Sequence, residues 1–332
     1  MKELNKKIMT TFFIVIIFIA FSGCTGPGNK IKTVSRQQSI PLDVIKGSPE
    51  SDTYKPVVHS DNWKTPVPMK GTVNTAGAED SPFMMPDGNT FYFFFTPDVR
   101  VPANKQLIDG VTGIWWTKKI NGTWTEPERI FLSDDVSLDG CTFVQGDTMW
   151  FGSVRAGNYG NIDVYTAKLR NGKWADWKNA GEQLNVKYDI GEFHISPDGK
   201  KLYFGYSKTG TDNGSLFDSN RDIYVSEKTD SGWSEPVSLG PKVNSGAGED
   251  QPFITPDGKE LWFTGQSRLG FTGPAIFRSL LSPDGSWGEP EEIISNFAGE
   301  PTLDSYGNVY FVHHFYRNGT MIEADIYVAE KK

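Results

Sequence analysis

The stretch Gly71–Gly88 reads GTVNTAGAEDSPFMMPDG and returns, without a gap, as PKVNSGAGEDQPFITPDG over Pro241–Gly258. A segment this long repeats when a structural unit repeats, so its period constrains the fold before any single residue does. Two further markers supply the period. Trp-x-x-Pro stands at Trp63–Pro66, Trp124–Pro127, Trp233–Pro236 and Trp287–Pro290, with the variant Trp174-Ala-Asp-Trp177 between them. These five copies lie 61, 50, 59 and 54 residues apart. A turn closed by glycine also recurs five times, at Pro86-Asp-Gly88, Gln145-Gly146, Pro197-Asp-Gly199, Pro256-Asp-Gly258 and Ser305-Tyr-Gly307.

Each turn leads into an aromatic strand (TFYFFF, TMWFGS, KLYFGY, ELWFTG, VYFVHH). An alternating strand follows it (GIWWTK, DVYTAK, DIYVSE, AIFRSL, DIYVAE). One unit is therefore four short strands: A before the turn, B after it, C at the Asp-Ile-Tyr segment and D at Trp-x-x-Pro. The 22 Phe, 12 Tyr and 10 Trp suit half-buried pleated surfaces, and the 35 Gly and 20 Pro suit the turns between them. Four antiparallel strands repeated five times predict an all-β, five-bladed β-propeller spanning residues 54–332. The first Trp-x-x-Pro has no A, B or C strand before it, and Asp325-Ile-Tyr327 has no D strand after it. An N-terminal strand is therefore expected to complete the last blade and close the ring, leaving few free edges.

The run Ser196-Pro-Asp-Gly-Lys-Lys-Leu-Tyr-Phe204, followed by Asp222-Ile-Tyr224-Val, resembles the WD-like repeat of TolB-type propellers. The resemblance covers roughly residues 60–330 and implies the architecture. It leaves the role open, because such propellers serve binding, scaffolding and several enzymatic activities.

The N-terminus reads as a targeting segment. Lys2, Lys6 and Lys7 precede an apolar run from Ile8 to Phe21, then Ser22-Gly23-Cys24. This resembles a prokaryotic lipobox and implies a signal peptide over residues 1–23 with lipidation of Cys24; an uncleaved anchor is the alternative. Either way the folded part is expected outside the cytoplasmic membrane, held by its anchor alone. Residues 24–53, poor in apolar side chains, are expected to form a flexible tether. The formal net charge is −8, and residues 1–23 carry three Lys against one Glu, so the mature chain is more acidic still. An acidic chain without a basic cluster makes a poor nucleic-acid binder. A monomer is expected. Lipidated Cys24 leaves Cys141 without a disulfide partner, and a small buried hydrophobe is its default reading.

In propellers of the type resembled, strand A lines the central channel. Aligned on the turn glycine, the residues seven positions upstream are Ser81, Asp139, Glu192, Gln251 and Glu300. Units one and four add Glu79-Asp80 and Glu249-Asp250 just before. Every unit thus brings an acid to one end of the ring, and His194 follows Glu192 on the same strand. Three readings compete for these acids. They serve the repeat by accepting backbone hydrogen bonds, they bind Ca²⁺, a polyhydroxylated or cationic ligand, or a carbohydrate, peptide or protein partner at the channel mouth, or they hydrolyse glycosides. In the last case Asp139, Glu192 and Glu300 are the triplet, by analogy with five-bladed propeller glycosidases. His313-His314 offer at most one side chain to any site, since adjacent strand residues face opposite ways. No other cofactor motif appears. The weaker Ca²⁺ candidate is Asp218, Asn220 and Asp222, which lack the glycine and terminal glutamate of an EF-hand. The function expected first is recognition by the channel mouth and by loops B–C, the longest being Thr96–Thr112 and Ser207–Arg221. The alternative is a carbohydrate-active hydrolase. Asn121, Asn213 and Asn318 each open an Asn-Gly-Ser/Thr sequence, readable as a glycosylation acceptor or as a hairpin turn.

Overall fold

The computed structural model describes residues 35–332 apart from 134, 187, 189 and 208–220. Two short strands, β1 (Val57–Val58) and β2 (Val67–Pro68), precede the blades. Blade one comprises β3 (Ala78–Met84), β4 (Thr90–Thr96), β5 (Gly113–Ile120) and a split outer strand, β6 (Thr123–Trp124) and β7 (Glu128–Arg129). Blade two is β8 (Ser137–Gln145), β9 (Thr148–Arg155), β10 (Asp163–Arg170) and β11 (Lys173–Asn179). Blade three is β12 (Phe193–Ile195), β13 (Lys201–Ser207), β14 (Arg221–Thr229), β15 (Gly232–Trp233) and β16 (Val237–Ser238). Blade four is β17 (Glu249–Ile254), β18 (Glu260–Gln266), β19 (Pro274–Leu280) and β20 (Glu291–Ser295). Blade five is β21 (Ala298–Leu303), β22 (Val309–Arg317) and β23 (Thr320–Ala329). The five sheets are antiparallel meanders, and they form the five-bladed propeller that the period predicts.

The ring closes as expected. β2 pairs with β23, Val67 opposite Val328 and Pro68 opposite Tyr327. The chain also does something the sequence did not announce: β1 adds to the outer edge of blade four, with Val57 opposite Ser295. The N-terminal chain therefore ties blades four and five together before it enters blade one.

Strand D departs from expectation. Proline has no N–H for the ladder, so Trp-x-x-Pro interrupts the outer strand instead of forming it. Trp124 and Trp233 end β6 and β15, and pairing resumes after Pro127 and Pro236 in β7 and β16. In unit two Trp177 replaces the proline and β11 runs unbroken. The tryptophans serve the blade junctions. Trp174 meets Tyr92 of blade one at 6.5 Å between ring centroids, Trp287 meets Tyr203 of blade three at 6.3 Å, and Trp63 meets Trp262 of blade four at 5.4 Å, all edge-on. Edge-to-face pairs of this kind add to the area they bury.

The repeated stretch is a fastening between blades. Asn244 accepts from Ile223 N and donates to Ile223 O, both at 2.9 Å, so the chain entering blade four is pinned to strand C of blade three. Asn74 does the same to Ile326, and Asn185 to Val164. Asn121 and Asn318 sit at φ 50° and 49°, each followed by a glycine with positive φ, as two-residue hairpin turns require. Asn213 lies outside the described residues.

The tether expectation needs correction where the structure describes it. From Ser35 onward the chain lies on the propeller as a strap. Arg36 is 3% exposed; it donates to Val73 O at 2.8 Å and to Glu79 at 3.1 Å, and its guanidinium lies over the rings of Phe93, Phe95 and Trp115. Lys46 pairs with Glu323 and Asp325, Gly47 N donates to Glu323, and Asp52 meets His313 at 3.0 Å. The strap binds chiefly through charge, because buried carboxylates on the propeller need partners, and Ile40 adds an apolar contact with the core. Its composition therefore resembles that of a free linker. Among the described residues no helix is long and apolar enough to cross a membrane.

Candidate functional site at the channel mouth

Strand A delivers the site through one local device. In blades one, two, four and five its pairing with strand B slips by one residue, between Asp80 and Phe83, Gly140 and Phe143, Asp250 and Phe253, and Gly299 and Thr302. The residue at each bulge has left-handed backbone: Ser81 at φ 44°, Cys141 at 50°, Gln251 at 57° and Glu300 at 56°. Such angles are uncommon for residues with a Cβ, and their recurrence at one position makes the bulge a feature of the repeat. Blade three contributes Glu192 at the equivalent place, two residues before His194 just as Ser81 precedes Phe83.

This register revises the expected one. Gln145-Gly146 is a shorter turn than Pro-Asp-Gly, so alignment on glycine moves unit two by two residues. Cys141, not Asp139, is the axial residue of blade two. Asp139 instead corresponds to Glu79 and Glu249, and all three are buried between strands with local partners. Asp139 accepts from Arg155 at 2.6 Å and Ser153 at 2.7 Å. Glu79 is 0% exposed and accepts from Thr75 N, Thr75 Oγ1 and Arg36. Glu249 accepts from Ser245 N at 3.0 Å and from Arg268 at 3.3 Å. The structure therefore does not bring Asp139, Glu192 and Glu300 together as a triplet.

The side chains that do meet on the axis are Ser81, Cys141, Glu192, Gln251 and Glu300, flanked by Asp80 and Asp250. Ser81 Oγ donates to Glu192 at 3.0 Å, and Ser81 N donates to Glu300 at 2.6 Å. Gln251 Nε2 donates to Glu300 at 2.7 Å, and the Cys141 thiol donates to Glu192. Asp250 is held by Arg221 at 2.9 Å, in space left by Gly205, where a Cβ would collide with the carboxylate. Burial and the neighbouring charges of Asp80 and Asp250 push Glu192 up to about 7. Burial, Asp80 and Glu192 push Glu300 well above the usual carboxylate range. Burial and Glu192 push the Cys141 thiol up.

Two residues further along strand A comes an aromatic layer. Phe83, Phe143, His194 and Phe253 converge on the axis, His194 lying 4.9 Å from Phe143 and 4.7 Å from Phe253 between ring centroids. His194 Nδ1 accepts from Ile254 N at 3.3 Å, and burial lowers its pKa to about 3, so the ring is neutral. The channel is thus an acidic cup over an aromatic floor. Asp80, Ser81, Cys141 and Glu192 are half-buried, while Gln251 and Glu300 are buried.

No protein-family model matches the chain, and neither does any curated protein. Solved structures similar to it include TolB from Acinetobacter baumannii (14% identity, 79% of this chain and 56% of that one, TM-score 0.41). A β-xylosidase is similar at 14% identity over 77% of this chain and 93% of that one, with TM-score 0.48. The PQQ-bound aldose sugar dehydrogenase from Streptomyces coelicolor is similar at 10% identity over 85% and 100%, with TM-score 0.40. The chain spans just over half the length of the TolB structure. Likeness at this level concerns the fold alone.

Among the described residues no three His, Cys, Asp or Glu lie close enough to hold a metal ion. Asp218 and Asn220 of the weaker Ca²⁺ candidate lie outside the described residues, as does Cys24, while Asp222 pairs opposite Tyr206 in strand C. His313 is fully buried against Asp52 of the strap and turns away from the cup. Sequence reasoning missed Cys141 and the three asparagines. The repeat of Val73-Asn74 in Val243-Asn244 was the available signal for two of them.

Proposed function

We propose that this protein is a membrane-anchored, extracytoplasmic β-propeller that recognises a carbohydrate, peptide or protein ligand through its channel mouth and the B–C loops around it. The observation that carries this reading is the state of the axial carboxyls. Glu192 and Glu300 are engaged with Ser81, Gln251 and Cys141 in a closed hydrogen-bonded cup. A glycosidase instead needs two carboxyls flanking a scissile bond with the sugar between them, about 5–5.5 Å or 6.5–9.5 Å apart. The hydrolase reading also loses Asp139 to Arg155. Exposed apolar side chains on the surrounding loops, Ile108, Tyr159, Leu269 and Phe271, supply contact area of the kind a partner covers.

Glycan and peptide arrays probed with the full chain test the reading, with Glu192→Gln and Glu300→Gln beside the wild type. Selective capture that either substitution or a loop substitution weakens is the expected result. Turnover of a glycoside that both substitutions abolish would sink it. Membrane retention of the wild type and release of Cys24→Ser test the anchor.

A further inference from the structure

We propose that the cup at the channel mouth takes a primary alkylammonium group, such as the end of a lysine side chain or a polyamine. The inference rests on the recognition reading for its location and adds the chemistry of the ligand. Acids alone would not carry it. The second observation is Gln251: its side chain is 4% exposed, its Nε2 is committed to Glu300, and its Oε1 is buried without a hydrogen-bond partner. A buried carbonyl oxygen without a donor is costly, and it belongs to the side chain that bonds Glu300; both axial carboxyls have neutral donors but, among the described residues, no cationic partner. Among the described residues neither Glu192 nor Glu300 pairs with a Lys or Arg; Arg221 goes to Asp250. Glu192, Glu300 and Gln251 Oε1 are three acceptors, and an –NH₃⁺ group has three donors and no acceptor.

The floor separates an organic cation from a metal ion. Metal ions of the Ca²⁺ type want six to eight oxygens, and no metal-holding group of His, Cys, Asp or Glu forms among the described residues. Phe83, Phe143 and Phe253 instead present ring faces and edges around a neutral His194, an arrangement that attracts cations bearing apolar stems. A cationic histidine there would repel the ligand, and burial keeps it uncharged.

The groups facing the ligand site set a pH dependence. Glu192 faces Asp80 and Ser81 from blade one, Cys141 from blade two, Asp250 with its Arg221 partner, and Glu300 from blade five. Glu192 and Glu300 hold their protons more tightly than free carboxyls; a bound ammonium favours the ionised forms and the protons leave to solvent, so binding tightens as pH rises. An alkylammonium itself titrates near pH 10, like lysine at about 10.4, and stays charged across this range.

Calorimetry with n-butylammonium on the full chain in detergent is the test, with n-butanol and CaCl₂ as parallel probes. The inference expects a dissociation constant below about 1 mM for butylammonium, at least about tenfold weaker binding by Glu192→Gln and Gln251→Leu, and none for butanol. It also expects wild-type affinity to rise between pH 5.5 and 8, a readout that does not depend on the variants folding. Absence of butylammonium binding overturns the inference, as does equal binding of butanol or a flat pH profile. Ca²⁺ binding that Glu192→Gln abolishes, without amine binding, overturns it in favour of a metal. A Glu192-dependent array ligand that lacks an amine and resists butylammonium competition overturns it while leaving the recognition reading intact. Amine binding in a protein that captures nothing on the arrays supports it and counts against that reading.

Discussion

Asn74 treats Ile326 as a neighbouring strand would: Nδ2 donates to the Ile326 carbonyl and Oδ1 accepts from its amide, both at 2.9 Å. The two residues stand 252 positions apart, yet they join the chain entering blade one to strand C of blade five. The same relationship at Asn244 and Ile223 explains why the stretch is repeated. Replacing Asn74 or Asn244 by Ala leaves a backbone donor and acceptor without partners, at roughly 1–3 kcal/mol for each unsatisfied group. Denaturant unfolding of Asn74→Ala and Asn244→Ala should each show a loss of about 2 kcal/mol or more. A loss under about 0.5 kcal/mol would mean that water replaces the amide and the fastening is incidental.

The junction tryptophans should be costlier. Trp63 is 2% exposed against a fully buried Trp262, and its Nε1 donates to Gly307 O at 2.9 Å. Truncating a buried tryptophan costs roughly 3–5 kcal/mol. Trp63→Ala is expected near the top of that range, because it opens the junction where the ring closes. Thermal unfolding with Trp177→Ala as a surface control measures the contrast.

The strap should contribute to stability. Arg36→Met keeps the packing on Phe93 and Phe95 but removes the charged partner of the fully buried Glu79, leaving it the two bonds from Thr75. Breaking a buried pair by removing one partner costs roughly 3–5 kcal/mol. We expect a loss of about 3 kcal/mol, with faster proteolysis between residues 36 and 55. Unchanged stability would assign the strap to the surface.

Stability should fall as the solution turns alkaline. Burial raises Glu79 and Glu323 to about 8 and Glu192 to about 7. Each acid raised in the folded state contributes stability that is complete below its unfolded pKa and lost as pH climbs through the folded value. Burial lowers His194 to about 3 and His314 to about 4, and these lose stability as pH falls below about 6.5. Above pH 6.5 the raised acids set the sign, so the thermal midpoint should decline from pH 6.5 to 8. Glu192→Gln should unfold at a higher temperature than wild type at pH 8 and match it at pH 4.5. Identical pH profiles for the two proteins would show that Glu192 is ionised at no cost.

Much of the fold was legible in the residues. The period, the Asn-Gly turns and the incomplete units at both ends led to five blades closed by an N-terminal strand, because hairpin chemistry and side-chain alternation are local. The broken outer strand was legible in principle too, since Pro127 and Pro236 cannot donate to the ladder. The candidate site was legible only in part. Glu192 and Glu300 were found by counting back from glycine, but the same count named Asp139 where the axis holds Cys141.

What the sequence determined by itself is therefore the repeat and the end of each blade at which acids gather. Tertiary structure decided which of those acids meet. A bulge of one residue turns a side chain toward the axis or away from it, and its position depends on pairing with strand B, not on distance from a turn. The strap was decided there as well: its ion pairs join residues such as Lys46 and Asp325, 279 positions apart, and a charge finds such a partner only once the ring has formed. The stretch that repeats most plainly, Gly71–Gly88, turns out to hold both kinds of information. Asn74 and Glu79 fasten it to the scaffold, while Asp80 and Ser81 carry it into the cup.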